Sequence, residues 1–254
     1  EGQFTKPHGI TVAPDDTVWC VDTGDHSIRR FSSDGRLIAT LNERYVSSEP
    51  MSGRPFCKPT RVAIDSRNEE ILVADGYGNA CVHRFSADGA RLLGTFGTSG
   101  TEAGAFNVVH DLIVDKEGMI YVADRENHRI QVFGPSGDFL FKWDGLSRSA
   151  AVHLTGDLVF VGEYYGGSPA IGNIVRDLGP RVSVLDRQGR LLARLSRESY
   201  GDEPGRFYAP HCIATDSSGD LYVAEVSYAE FGCNMEPPRE LRSLQKLVRV
   251  ASRD

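Results

Sequence analysis

Five acidic residues, each closing a short apolar run, constrain this chain more than any other feature. The runs are "VWCVD" ending at Asp22, "ILVAD" at Asp75, "IYVAD" at Asp124, "LVFVGE" at Glu163 and "LYVAE" at Glu225. Successive acids lie 53, 49, 39 and 62 residues apart. After each acid come a turn and an alternating strand, as with Ile130 and Val132. An Asp-Gly or Ser-Gly turn follows in three of them (Asp34-Gly35, Asp88-Gly89, Ser136-Gly137), and then another alternating strand. Upstream of each acid lies one more short strand: "GITVAP", "RVAIDS", "DLIVDK", "AVHLTG" and "CIATDS".

Period-2 alternation interrupted by two-residue turns is the pattern of antiparallel strands, not of helices. Four short strands recurring every ~40–50 residues predict a β-propeller, an all-β fold. The expected organisation is a single propeller domain over 1–254, with blades at 4–45, 56–98, 104–145, 148–197 and 206–254. The segment "PRELRSLQKL" (238–247) is read as loop followed by a last strand.

Composition narrows the function classes. The formal net charge is −7, so no basic face is available for nucleic acid. No apolar run reaches the length of a membrane span. Five cysteines, an odd number without zinc-finger spacing, permit at most two disulfides and leave the compartment undecided between cytoplasm and exterior. The opening "EGQFTKPHGI" shows no signal peptide and enters a strand directly, which fits a processed or truncated N-terminus.

Three histidines occupy matching places. His8 in "KPHGI", His110 in "VVHDL" and His211 in "APHCI" each stand at the entrance to the first strand of a blade, 102 and 101 residues apart. Blade two carries Thr60 there, and in blade four His153 falls late. First strands line the central channel of a propeller, so equivalent residues on alternate blades converge on one axis. Three positions 120° apart require a ring of six, with a further blade of ~45–50 residues upstream of Glu1 or absent. Three imidazoles with an open fourth position are the catalytic pattern for Zn²⁺, although iron, copper and nickel also accept this donor set. The alternative is that each histidine bonds a neighbouring carbonyl in the channel.

These histidines, with "FCKPTRVAI", "VADGYGNA" and "VADRENHRIQVF", resemble NHL-repeat propellers, and among them the lyase domain of the peptidylglycine α-amidating enzymes and its bacterial relatives. The resemblance covers nearly the whole chain. It implies cleavage of the C–N bond of an α-hydroxyglycine-type carbinolamide to an amide and glyoxylate, with zinc held by His8, His110 and His211. It implies catalytic roles for Tyr77 in the "DGY" turn and Arg125 in the "DREN" turn. The implied partner is a small-molecule or peptide-terminal α-hydroxy substrate. A lactonase-like propeller metallohydrolase and a non-catalytic NHL scaffold are the alternatives.

The sequence departs from that pattern in four places. The family's other catalytic arginine falls in a blade before the first "PHG" strand, outside this sequence, so either the chain is truncated or the chemistry differs. Cys212 stands where the acid that helps hold a structural Ca²⁺ falls, which argues against that ion, with Asp111 a substitute donor. Val109 replaces a proline. Cys57 has its counterpart, but Gly78 stands where its partner falls, leaving either a Cys57–Cys81 bridge or two buried thiols. Elsewhere, His26 and His128 are read as solvated turn residues, and His83 as facing outward or between blades. The inserts 164–181, with Tyr164 and Tyr165, and 227–240 have the length of loops that border binding sites.

Overall fold

A computed structural model describes residues 2–165, 179–197 and 200–250, so most of the 164–181 insert lies outside the described residues. Chain contacts form two compact units, Glu1–Lys142 and Trp143–Asp254. No helix among the described residues is long and apolar enough to cross a membrane.

The first unit holds three blades. Blade one is β1 (Pro7–Val12), β2 (Val18–Asp22), β3 (Ser27–Phe31) and β4 (Leu37–Asn42). Blade two is β5 (Arg61–Ile64), β6 (Ile71–Asp75), β7 (Cys81–Phe85) and β8 (Leu92–Phe96). A short parallel pair, β9 (Thr98–Ser99) and β10 (Ala105–Phe106), leads into blade three. That blade is β11 (Val109–Val114), β12 (Ile120–Asp124), β13 (Arg129–Phe133) and β14 (Phe139–Trp143). The second unit holds blade four, made of β15 (Ser149–Thr155), β16 (Leu158–Glu163), β17 (Arg181–Asp186) and β18 (Leu191–Leu195). Blade five shows three strands among the described residues: β19 (Pro210–Thr215), β20 (Leu221–Glu225) and β21 (Leu244–Leu247). Strand order follows the sequence in every blade.

Apolar content tracks strand position. The second strands of blades two and three are buried along their whole length, which is why "ILVAD" and "IYVAD" read as continuous apolar runs. Fourth strands such as β8 and β18 are mostly exposed. Cores form where blade faces meet: Trp19, Val21 and Ile28 pack with Val62, Ile71 and Val73, and Leu72 and Val82 pack with Val109, Leu112 and Val122. The Ser-Gly turn of blade three presses on blade two. A Cβ at Gly137, whose φ is +94°, would stand 2.6 Å from the Phe96 ring.

The five acids share one task. Each accepts backbone N–H groups from the segment entering its own blade, 16 to 18 residues upstream. Asp22 accepts from Thr5 and Lys6, Asp75 from Cys57, Asp124 from Asn107, Glu163 from Ser147, and Glu225 from Tyr208 and Ala209. The third strand supplies a second set of donors: Arg29, His83, Arg129 with Gln131, Arg181 with Ser183, and Gln245. A buried carboxylate is tolerated only when it is so satisfied. Arg129 Nε lies 2.7 Å from Asp124 Oδ2 with both side chains nearly inaccessible. Asp124→Ala leaves that guanidinium buried without its partner and is expected to cost about 3–5 kcal/mol, measured as a lower denaturant midpoint at unchanged m-value.

Candidate active site

Four of the five blade entrances share a backbone irregularity. Pairing of the first and second strands shifts between Pro7 and Ile10, between Val109 and Asp111, between Ser149 and Ala151, and between Pro210 and Cys212. In each case the shift follows a residue paired with the blade acid. His8, His110, Ala150 and His211 sit in these bulges, which re-aim a side chain out of the alternating pattern. His153 lies three residues beyond the bulge, paired with Phe160, and its Nε2 reaches Thr215 Oγ1 at 3.0 Å.

In the first unit, four of the five residues singled out in the sequence meet. Tyr77 Oη lies 3.2 Å from His8 Nε2 and 3.0 Å from His110 Nε2, and Arg125 Nη1 donates to it at 3.2 Å. The two imidazole centroids are 4.9 Å apart, at 70°. The Arg125 guanidinium also stands over the Tyr77 ring, 5.4 Å from its centroid. Its Nε donates to Glu126 Oε1 at 2.8 Å, so the neighbouring acid of the same 3-10 turn, Arg125–Asn127, fixes its orientation. His110 is buried, whereas His8, Tyr77 and Arg125 keep partial access to solvent.

Two residues that the motifs did not identify build this arrangement. The Thr60 carbonyl accepts from His8 Nδ1 at 2.8 Å. A carbonyl only accepts, so Nδ1 carries the proton and the Nε2 lone pair faces the Tyr77 hydroxyl. The Thr60 hydroxyl donates to the carbonyl of Val109, the residue before His110, at 2.9 Å. Thr60 therefore ties both histidine strands together; its place in blade two, matching the histidines of blades one and three, was the available signal. Gly76 is the other. A Cβ there would lie 1.8 Å from the Val109 carbonyl oxygen, so only glycine brings the Tyr77 turn this close to β11.

Burial is the main cause that lowers the His8 pKa, to about 4; the Thr60 carbonyl opposes it, and the charges of Arg125, Arg61 and Lys6 add to it. The ring is neutral at neutral pH. Imidazole nitrogens meeting at one hydroxyl are a donor set that a borderline divalent metal accepts, so these residues fit zinc. In the second unit, His211 stands partly exposed at its own bulge, its ring 6.1 Å from that of the buried Tyr164. Arg148 lies over both Tyr164 and Tyr165, at 5.4 and 5.8 Å from the ring centroids. Tyr165 joins Tyr200 and Phe231 in an aromatic cluster.

Two expectations are corrected. His83 faces inward: it is fully buried and pairs with Asp75 across 3.2 Å, because the blade acid requires a donor from β7. His26 is not simply solvated, since its Nδ1 accepts the Lys58 N–H at 2.9 Å. Arg125 pairs with the adjacent Glu126. Cys57 and Cys81 are buried free thiols, and Asp111 is paired with Arg61 at 3.2 Å. Gly76→Ala is expected to force the Tyr77 turn away from β11 and to destabilise the chain by roughly 1–3 kcal/mol, read as a lower thermal midpoint.

The NHL repeat family matches at 4–31, 56–85 and 106–133, one stretch in each of the first three blades. The chain is 32% identical over 250 residues to peptidyl-α-hydroxyglycine α-amidating lyase 1 of Drosophila melanogaster, covering 88% of this chain and 43% of that protein. It is 30% identical over 240 residues to NHL repeat-containing protein 3 of Mus musculus, covering 87% of this chain and 64% of the relative. The chain thus spans less than two thirds of the length of these relatives. Among solved structures, a nidogen/laminin complex aligns with a TM-score of 0.62 at 15% identity, over 87% of this chain and 73% of the other. The WD40 β-propeller domain of Doa1 aligns with a TM-score of 0.57 at 14% identity, over 85% of this chain and 59% of the other. Likeness at that identity establishes the fold alone. The chain is an NHL-repeat β-propeller that resembles the peptidyl-α-hydroxyglycine α-amidating lyases.

Proposed function

We propose that this chain is a metal-dependent lyase that cleaves the C–N bond of an α-hydroxyglycine-type carbinolamide to an amide and glyoxylate. The observation that carries this reading is the Tyr77 hydroxyl held between His8 Nε2 and His110 Nε2, with Arg125 donating to it. The similarity to the Drosophila lyase supports the reaction class. The shared bulge of His8, His110 and His211 supports their grouping as ligands.

His8, His110 and His211 would hold Zn²⁺ or another divalent transition metal. When bound, the ion supplies Lewis acidity towards the substrate's α-hydroxyl. Tyr77, acting as the phenolate, takes the hydroxyl proton and passes it to the departing nitrogen, and its position beside both imidazoles sets where that oxygen must lie. The electron pair left on oxygen forms the aldehyde C=O. The C–N bond breaks towards nitrogen, which takes a proton and leaves as the amide. Arg125, anchored by Glu126, offers its remaining donors to the carboxylate that ends in glyoxylate. Thr60 keeps His8 in the tautomer whose Nε2 faces the reaction.

Similarity to a relative named only for its NHL repeats supports a second reading, a propeller without catalysis, and one assay separates the two. Metal-replete protein incubated with an N-acyl-α-hydroxyglycine is expected to release glyoxylate. Tyr77→Phe is expected to lower kcat by roughly 10²-fold or more with metal content unchanged. His110→Ala is expected to lose metal and turnover together. Absence of glyoxylate from metal-replete protein defeats the lyase reading.

A further inference from the structure

Blade two differs from the others on the face of β7 that meets its acid. The two same-face positions carry Ser27 and Arg29 in blade one, Arg129 and Gln131 in blade three, and Arg181 and Ser183 in blade four. These are hydrogen-bonding side chains suited to a buried carboxylate. In blade two the pair is Cys81 and His83, with Cys81 directly opposite Asp75. A thiol is a weak donor and a poor substitute for the arginines that bond the acids of blades three and four from that position.

The three side chains converge. His83 Nε2 lies 3.2 Å from Asp75 Oδ2 and 3.5 Å from Cys81 Sγ, and the three donor atoms lie within 4.8 Å of one another. Metal bonds of ~2.0 Å to oxygen and nitrogen and ~2.3 Å to sulfur, set at tetrahedral angles, put O and N about 3.3 Å apart and N and S about 3.5 Å apart. The observed separations already match those edges. Thr95 Oγ1, 2.9 Å from His83 Nδ1, holds the outer nitrogen and so aims Nε2 inward, the usual support of a ligating histidine. Asp75 and His83 are fully buried and Cys81 nearly so, with the Phe56 ring packed edge-on against His83 at 5.6 Å.

We propose that Asp75, Cys81 and His83 form a second metal site, with three protein ligands, that takes a borderline dication such as Zn²⁺ inside blade two. Charge favours this ion class. A carboxylate, a thiolate and a neutral imidazole around a dication sum to zero, the least costly arrangement for a site removed from water. Burial and the Asp75 charge push the Cys81 thiol up to about 12. The coordinated form is the thiolate, so binding releases the Cys81 proton to solvent. Mixed sulfur, nitrogen and oxygen donors select zinc-like ions over calcium or magnesium. The site stands apart from the histidines of the proposed reaction and does not depend on that reading.

The fold supplies its own control substitutions. Cys81→Ser and His83→Gln place in blade two the residue types that blades one and three carry at the same positions, Ser27 and Gln131; Gln131 donates to Asp124, so His83→Gln retains a donor for Asp75. The full chain, expressed in cobalt-supplemented medium, is expected to show thiolate-to-cobalt charge-transfer absorption in the near ultraviolet. Three imidazoles without sulfur give none. The band is expected to persist in a His8→Ala, His110→Ala double variant and to vanish in Cys81→Ser, with one metal equivalent lost from native mass spectra of Cys81→Ser and of His83→Gln. A cobalt-loaded wild type without the band, or a band unchanged in Cys81→Ser, overturns the proposal.

Discussion

The interaction on which the rest of the structure depends is the buried acid at the end of each second strand. It reaches back across its own blade and takes the backbone N–H groups of the segment that enters the first strand. The carboxylate thereby serves as acceptor for the backbone N–H groups of that segment. The same carboxylate draws donors from the third strand, so three parts of each blade meet at one charge. A full negative charge out of water is costly alone, and these contacts offset it. Burial still pushes the Asp124 and Glu225 carboxyls up, against the hydrogen bonds that favour ionisation.

This lock also positions the chemistry. In blades one, three and five the residue after the acid's strand partner falls in a bulge, and the histidine there is turned out of the sheet alternation. The Tyr77 turn then comes up against β11 through Gly76, and Thr60 bonds to both neighbours at once. The polar cluster of His8, Tyr77, His110 and Arg125 is thus built from blade ends that the acids hold, not from flexible loops. Its hydrogen bonds run through one phenol oxygen, which makes Tyr77 the hinge of the arrangement.

Much of this was legible in the residues. The acids, the turn pairs and the period-2 strands announced the blades, because each is a local requirement: alternation for a pleated strand, glycine for a tight turn, an apolar run for a strand covered on both faces. The matched spacing of His8, His110 and His211 announced equivalent backbone places, and all three sit in first-strand bulges. Other features were hidden because they belong to contacts between segments. His83 alternates with Val82 and reads as facing outward or between blades, yet the Asp75 carboxylate needs a donor and draws it inward. The part of Thr60 that acts on His8 is its carbonyl, which every residue possesses and no motif marks.

The sequence by itself determined the blade pattern, the acid at each second-strand end and the residue types of the candidate site, because all of these are written in local periodicity and repeat register. Only the tertiary structure decided which groups touch. It placed one tyrosine hydroxyl against two imidazoles, fixed the tautomer of His8 through a carbonyl 52 residues away, and set a cysteine and a histidine against the acid of blade two. The physical reason is that hydrogen-bond partners and burial arise from chain segments brought together by packing. The sequence names the donors and acceptors, and packing assigns them to one another.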